Sequence, residues 1–230
     1  FYPAHHITMG EGGFVASSSK EQDTVIKSFR DWGRGCYCQG KKASCLKNGM
    51  CGKRFSPWIE SMPDVTFDHK YVYDEIGYNL KPIEVQAAMG LAQLKKIEKI
   101  TELRKRNYNT YFDTLVKYED SLHLPRPTEK SDPSWFAFPI TVRDSAKFRR
   151  QDFTLFLEEK KIQTRNYFAG NILLQPGYKG VAPDVDAVKK FPVSTKVMKD
   201  TFFLGTSPVI TEEQSQYVCD CVDEFFKDYV

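Results

Sequence analysis

Two groups of residues in this 230-residue chain carry side chains that could do chemistry. The first is a pair of histidines, His5 and His6, in the opening run Phe-Tyr-Pro-Ala-His-His-Ile-Thr-Met-Gly-Glu-Gly-Gly. Imidazole gains and loses a proton near neutral pH, so a histidine on such a loop is a candidate general base. Its plainer reading is a hydrogen-bonded structural pair ahead of a glycine turn. The second group is the cysteines. Cys36, Cys38, Cys45 and Cys51 fall within sixteen residues of a loop rich in glycine and lysine, and Cys219 and Cys221 fall near the C-terminus. Four thiols so close together point to a zinc or iron–sulfur site or to surface disulfides, and spacing alone leaves the two metals open. Disulfides fit poorly with a cytosolic chain. Cys219 and Cys221, two apart on one helix, point in different directions and read as packing residues. His69 and His123, each isolated in sequence, read as ordinary polar residues.

The elements that must position these groups follow from patterning. Residues 14–19 read as a strand. Val25, Ile26, Phe29 and Trp32 have helical spacing, and Gly33 and Gly35 end that helix before the cysteine loop. Asn79-Leu80-Lys81-Pro82 has the form of a helix start with proline in the first turn. Apolar positions from Val85 to Leu103 continue it as a long helix, bent or broken, toward Leu115. Beyond Pro125 and Pro127 the pattern alternates. A strand is expected over 135–142, a helix over 149–161, a strand over 162–168, a helix over 191–199 and a short strand over 201–204. A closing helix over 211–229 has Thr211 as its N-cap and Glu212-Glu213 in its first turn. Strands alternating with helices make an α/β or α+β layered fold.

Composition narrows the function. The chain has 33 Lys+Arg against 30 Asp+Glu and 41% hydrophobic residues. A net charge of +3 gives no electrostatic reason for nucleic acid or an anionic membrane as a partner. No apolar run is long enough to span a bilayer, and a cytoplasmic location is the default expectation.

The histidine loop, with the apolar residues Phe14-Val15-Ala16 after it, resembles the cofactor-lysine loop of the DegT/DnrJ/EryC1/StrS sugar aminotransferases. His5 stands where that family has its lysine. A lysine amine forms a Schiff base with an aldehyde, and an imidazole cannot. The resemblance is therefore closest to the nucleotide-sugar 3-dehydrases of the family, and it implies His5 as a base in a dehydration that uses pyridoxamine phosphate (PMP) in place of lysine-bound pyridoxal phosphate (PLP). Gly77-Tyr78-Asn79-Leu80-Lys81 and Gln86-Ala87-Ala88-Met89-Gly90-Leu91-Ala92-Gln93-Leu94 resemble the helix that links the family's large and small domains. There the asparagine reaches the cofactor phosphate of a neighbouring subunit, which implies a homodimer and a cofactor-binding role for Asn79. Arg165, in Gln163-Thr164-Arg165, resembles a position near the sugar nucleotide.

Arg30-Asp31-Trp32-Gly33-Arg34-Gly35-Cys36-Tyr37-Cys38 and Cys51-Gly52-Lys53-Arg54-Phe55 resemble the flanks of the iron–sulfur loop in enzymes of the CDP-4-keto-6-deoxyglucose 3-dehydrase type. The resemblance implies Cys36, Cys38 and Cys51, with one cysteine upstream, as ligands of a [2Fe-2S] cluster fed by a flavin-containing reductase. Here the loop is longer and includes Cys45, which either replaces a ligand or stands by. The implied product is a 3,6-dideoxy sugar precursor for lipopolysaccharide. Rivals are a glutamate-recycling GDP-4-keto-6-deoxymannose 3-dehydratase, a sugar aminotransferase, and an inactive metal-binding or dimerisation fragment. The implied fold is the C-terminal part of a PLP-dependent transferase of fold type I. Residues 1–118 are expected to end the large domain, and residues 119–230 to form the small α/β domain.

Overall fold

The computed structural model describes residues 1–36 and 51–229. The chain divides into two compact units, Phe1–Gln93 and Leu94–Val230.

The first unit is built mostly from loops held by backbone hydrogen bonds. Its helix α1, Lys20–Arg30, begins where the Ser19 side chain accepts from the Gln22 amide, with Glu21 and Asp23 in the first turn to favour the helix dipole. It stops at Asp31, and the chain then turns through Trp32 and Gly33, both at positive φ. Strands β1 (Phe55–Ser56) and β2 (Phe67–Asp68) pair antiparallel. Helix α2, Glu84–Leu94, closes the unit. The helix start expected at Asn79 is therefore displaced. Residues 79–81 run extended because their backbone is engaged with α1: Leu80 N donates to Arg30 O, and Asn79 bridges to Asp31. The strand expected over 14–19 does not form. Phe14 and Val15 are exposed there, with no strand beside them among the described residues.

The second unit has an apolar core. Helix α3 (Ile97–Leu115) follows α2 after a two-residue break, so the long helix is broken as its pattern suggests. Strands β3 (Leu122–His123), β4 (Ala137–Val142), β5 (Thr164–Asn166) and β6 (Thr201–Gly205) form a fully antiparallel sheet in the order β3-β4-β6-β5. Helices α4 (Arg150–Glu159), α5 (Ala187–Lys190), α6 (Pro192–Asp200) and α7 (Glu212–Phe226) complete the unit. Alternation along β4 sends Phe138, Ile140 and Val142 inward, where they meet Tyr111 and Leu115 of α3, Phe153 of α4 and Val222 of α7. Each fully buried side chain of this size contributes roughly 1.5–3 kcal/mol. Phe153 stacks on Phe225 with ring centroids 4.5 Å apart. Helix α7 starts with a reciprocal cap: Gln214 N donates to the Thr211 hydroxyl, and Thr211 N donates to Gln214 Oε1, an arrangement that contributes about 1 kcal/mol. Cys219 and Cys221 are buried in this core, and burial pushes the Cys219 thiol above its usual pKa. Among the described residues, no helix is long and apolar enough to cross a membrane.

Candidate active site and cysteine region

His5 lies on a turn in which its own amide donates to Tyr2 O, 3.0 Å away, and its ring meets the Tyr2 ring edge-on with centroids 6.1 Å apart. The residue is exposed. Two contacts fix the loop to α2. Met9, only 8% exposed, lies over Gly90, where a Cβ would meet Met9 Sδ at 3.6 Å. Gln86 Nε2 donates to Glu11 O, while Gln86 Oε1 accepts from the Ile83 amide at the helix start. The glycine turn is shaped to the same methionine, since Gly12 sits at φ +148° and a Cβ on it would lie 3.2 Å from Met9 Sδ. A side chain on a loop held at one buried anchor has both a defined place and access from solvent.

Asn79 is held by the segment that follows α1. Trp32 N donates to Tyr78 O and Tyr78 N to Phe29 O, so residues 78–80 run beside the end of the helix. Lys81 Nζ donates to both Asp31 Oδ1, at 2.6 Å, and Asn79 Oδ1, at 2.8 Å, and lies 3.4 Å from the centroid of the Trp32 ring. The lysine thus holds the Asn79 amide by its oxygen. Among the described residues Asn79 Nδ2 has no hydrogen-bond partner, and the residue is exposed. An amide N–H beside an ammonium group is donor chemistry that suits a phosphate.

The cysteine region is organised by a short segment, residues 69–73. Gly35 N donates to Val72 O and Arg34 bridges to Tyr73, which ties down the backbone next to Cys36. At the other end of the segment, His69 Nε2 lies 3.1 Å from Cys51 Sγ. Local structure places this histidine. Asp68 ends β2, and its carboxylate caps the turn His69–Tyr71 by accepting from Lys70 N. His69 N donates to Arg54 O, and the Trp58 ring meets the His69 ring edge-on. Arg54 in turn bonds Asp68 through Nε, at 2.8 Å, and Nη2, at 2.7 Å. That pair raises the pKa of Arg54 and, with the Lys70 amide, holds the Asp68 carboxyl below its usual range.

Cys36 and Cys51 are half-buried, and residues 69–73 meet both: the amide before Cys36 bonds Val72 O, and the Cys51 sulfur contacts His69. Cys38 and Cys45 lie outside the described residues. Among the described residues, no three His, Cys, Asp or Glu side chains gather as a metal site. A histidine set aside in the sequence as ordinary thus touches a cysteine. Eighteen residues separate the two, and no short motif links them.

Arg165 sits on β5, opposite Phe203, exposed in the second unit. It lines a cavity of about 910 Å³ together with Tyr111, Lys160, Phe203, Gln214 and Tyr217.

The sequence profile of the DegT/DnrJ/EryC1/StrS aminotransferase family matches residues 1–223. The chain belongs to this family. Members similar to it include the lipopolysaccharide biosynthesis protein RfbH of Salmonella typhimurium, 46% identical over 226 residues that are 98% of this chain and 50% of that protein. The dTDP-4-dehydro-2,6-dideoxy-D-glucose 3-dehydratase of Saccharopolyspora spinosa is 40% identical over 98% of this chain and 47% of its own length. Among solved DegT-family folds, the Escherichia coli GDP-4-keto-6-deoxy-D-mannose-3-dehydratase with bound hydrated PLP superposes with a TM-score of 0.67 at 20% identity, over 96% of this chain and 52% of that one. The α/β fold therefore corresponds to about half of an aminotransferase-type chain. This family member likewise spans about half the length of the curated relatives it matches.

Proposed function

We propose that the protein containing this chain is a nucleotide-sugar 3-dehydrase that uses PMP and a [2Fe-2S] cluster, with His5 as its base and CDP-4-keto-6-deoxyglucose as the substrate type. The observation that carries the proposal is the histidine loop. Residues 1–19 contain no lysine, and the exposed His5 occupies the place that the family resemblance gives to the cofactor lysine. Such a loop can move a proton and cannot hold PLP covalently. When bound, PMP supplies the amine that engages the 4-keto group and a ring that takes up electrons. The contribution of His5 is to accept a proton at an imidazole nitrogen, from a turn anchored by Met9 and Gln86. Asn79 would hold the cofactor phosphate through Nδ2, its oxygen being engaged by Lys81, and Arg165 would face the sugar nucleotide.

Half-buried thiols on a shared anchor suit a metal in kind, since thiolates are the ligands of both zinc and iron–sulfur centres. The loop flanks favour iron, with Cys36, Cys38 and Cys51 as ligands and a flavin-containing reductase as the electron source. Dimerisation is supported by exposed apolar side chains in the first unit. Ile76, Leu80, Val85 and Leu91 are 95%, 66%, 70% and 65% exposed, apolar surface that a second subunit would cover.

The test is incubation of the complete protein with PMP, a CDP-4-keto-6-deoxyhexulose and a reducing system. Mass spectrometry should find a sugar that has lost its C3 hydroxyl, and His5→Ala should abolish this while leaving PMP binding in place. Transfer of an amino group to the sugar, with no dehydration, would replace the proposal with an aminotransferase.

A further inference from the structure

The contact between His69 and Cys51 is used by nothing described so far, and the geometry points to His69 as a positioning residue whose Nε2–H donates to Cys51 Sγ. A thiolate bound to a metal can only accept, so toward a ligated Cys51 the imidazole is the donor. The distance separates this role from direct ligation. Sulfur and nitrogen ligands on one tetrahedral metal, at bond lengths of about 2.3 Å and 2.0 Å, lie about 3.5 Å apart. The observed 3.1 Å is shorter than that and suits a hydrogen bond.

The surroundings keep the imidazole there independently of any metal. Its backbone is fixed by the hydrogen bond to Arg54 O and by the Asp68-capped turn, and its ring is braced by Trp58. The Arg54–Asp68 pair closes the same hairpin, so the histidine rides on a cross-linked support. A donor held this way presents Cys51 with one lone pair engaged and its Cα–Cβ–Sγ direction set. Hydrogen bonds to a ligand sulfur also stabilise the more negative, reduced state of an iron–sulfur centre.

Two measurements test this, and only the second rests on the proposed cluster. In the metal-free complete protein labelled with ¹⁵N-histidine, long-range nitrogen–proton spectra assign the ring of His69. Its Hε2 or Hε1 should show a nuclear Overhauser contact to the Cys51 Hβ protons, and Cys51→Ala should shift the Nε2 signal. A His69 ring with no contact to the Cys51 Hβ protons, or a signal indifferent to Cys51→Ala, overturns the inference. In iron-reconstituted protein, His69→Phe should keep the iron content of the wild type but lower the equilibrium constant for one-electron reduction about tenfold, a fall of about 59 mV. His69→Gln, which retains an N–H donor, should recover part of that fall. An unchanged potential in His69→Phe, or loss of iron in both variants, overturns the role as donor; the second result would make His69 a ligand. If wild-type protein takes up no iron, the cluster proposal fails, and the metal-free spectra decide the role of His69 on their own.

Discussion

A methyl group built on Gly33 would lie 1.7 Å from the carbonyl oxygen of Glu75. Gly77 is equally confined from the facing side, where a Cβ would meet Gly33 N at 2.1 Å. The two glycines let residues 72–80 run against residues 29–35 closely enough for Gly33 O to accept from both Asp74 N and Glu75 N. This one crossing fixes Asn79 at one end and the backbone beside Cys36 at the other, so the proposed cofactor and metal sites share a frame.

Gly33→Ala should therefore damage both sites and the fold. The residue has φ +78°, and the added methyl meets backbone, which cannot swing aside. A loss above about 2 kcal/mol is expected from the left-handed strain and the overlap together. Gly10→Ala is the control. It has φ +87° but open space around the new Cβ, so it should cost only about 1 kcal/mol. Chemical denaturation of the complete protein compares the two, and equal losses would mean that the crossing is not the constraint.

Tyr111 gives a pH dependence with a definite sign. Burial in the second unit, with Cys219 adding to it, pushes its phenol from 10.0 up to about 12. The unfolded chain releases this proton first as pH rises. The stabilising contribution is thus complete below about pH 10 and is lost between there and about pH 12, amounting to roughly 2–3 kcal/mol in all. Tyr111→Phe should flatten the fall in stability above pH 10 and leave stability at pH 7 nearly unchanged. Denaturation midpoints across pH 8–11 would measure it, and an identical alkaline slope in the variant would contradict the burial argument.

What could be read from the sequence was local. The closing helix is visible because Thr211 and Gln214 are three residues apart and satisfy each other's backbone partners. Strand β4 is visible because its apolar residues alternate. By contrast, β1 and β2 have two residues each, too few for any alternation to register, and they depend on each other across the loop between them. The apolar run at 14–16 suggests a strand, but a strand needs a neighbour to take its hydrogen bonds, and the sequence does not say whether one is present. His5 could be singled out by its place in a recognisable loop. His69 could not, because its significance lies in a through-space contact made by a capped turn.

The histidine loop predicts a change of chemistry on a single substitution. His5→Lys places on the same exposed turn an amine able to condense with PLP. In the complete protein, dehydration should fall by at least about 100-fold, the scale on which a positioned base contributes. Borohydride treatment in the presence of PLP should leave the cofactor covalently attached to residue 5. Attachment elsewhere, or undiminished dehydration, would show that another residue is the base.

The cysteines provide the last prediction. Thiolates bind iron only when deprotonated and gathered by a folded segment, and residues 69–73 hold the backbone just before Cys36 and contact the sulfur of Cys51. Complete protein prepared without oxygen should be brown and, on reduction, should give the electron paramagnetic resonance signal of one reduced [2Fe-2S] centre. Cys36→Ser, Cys38→Ser and Cys51→Ser should each abolish that signal and the reductase-dependent turnover. Cys219→Ser and Cys221→Ser, far down in the apolar core of the second unit, should keep both. Cys45→Ser separates the two readings of the longer loop, because loss of the signal there would make Cys45 a ligand and retention would make it a bystander. Colourless protein that holds stoichiometric zinc and takes up no iron and sulfide under anaerobic reconstitution would rule out electron transfer through this loop.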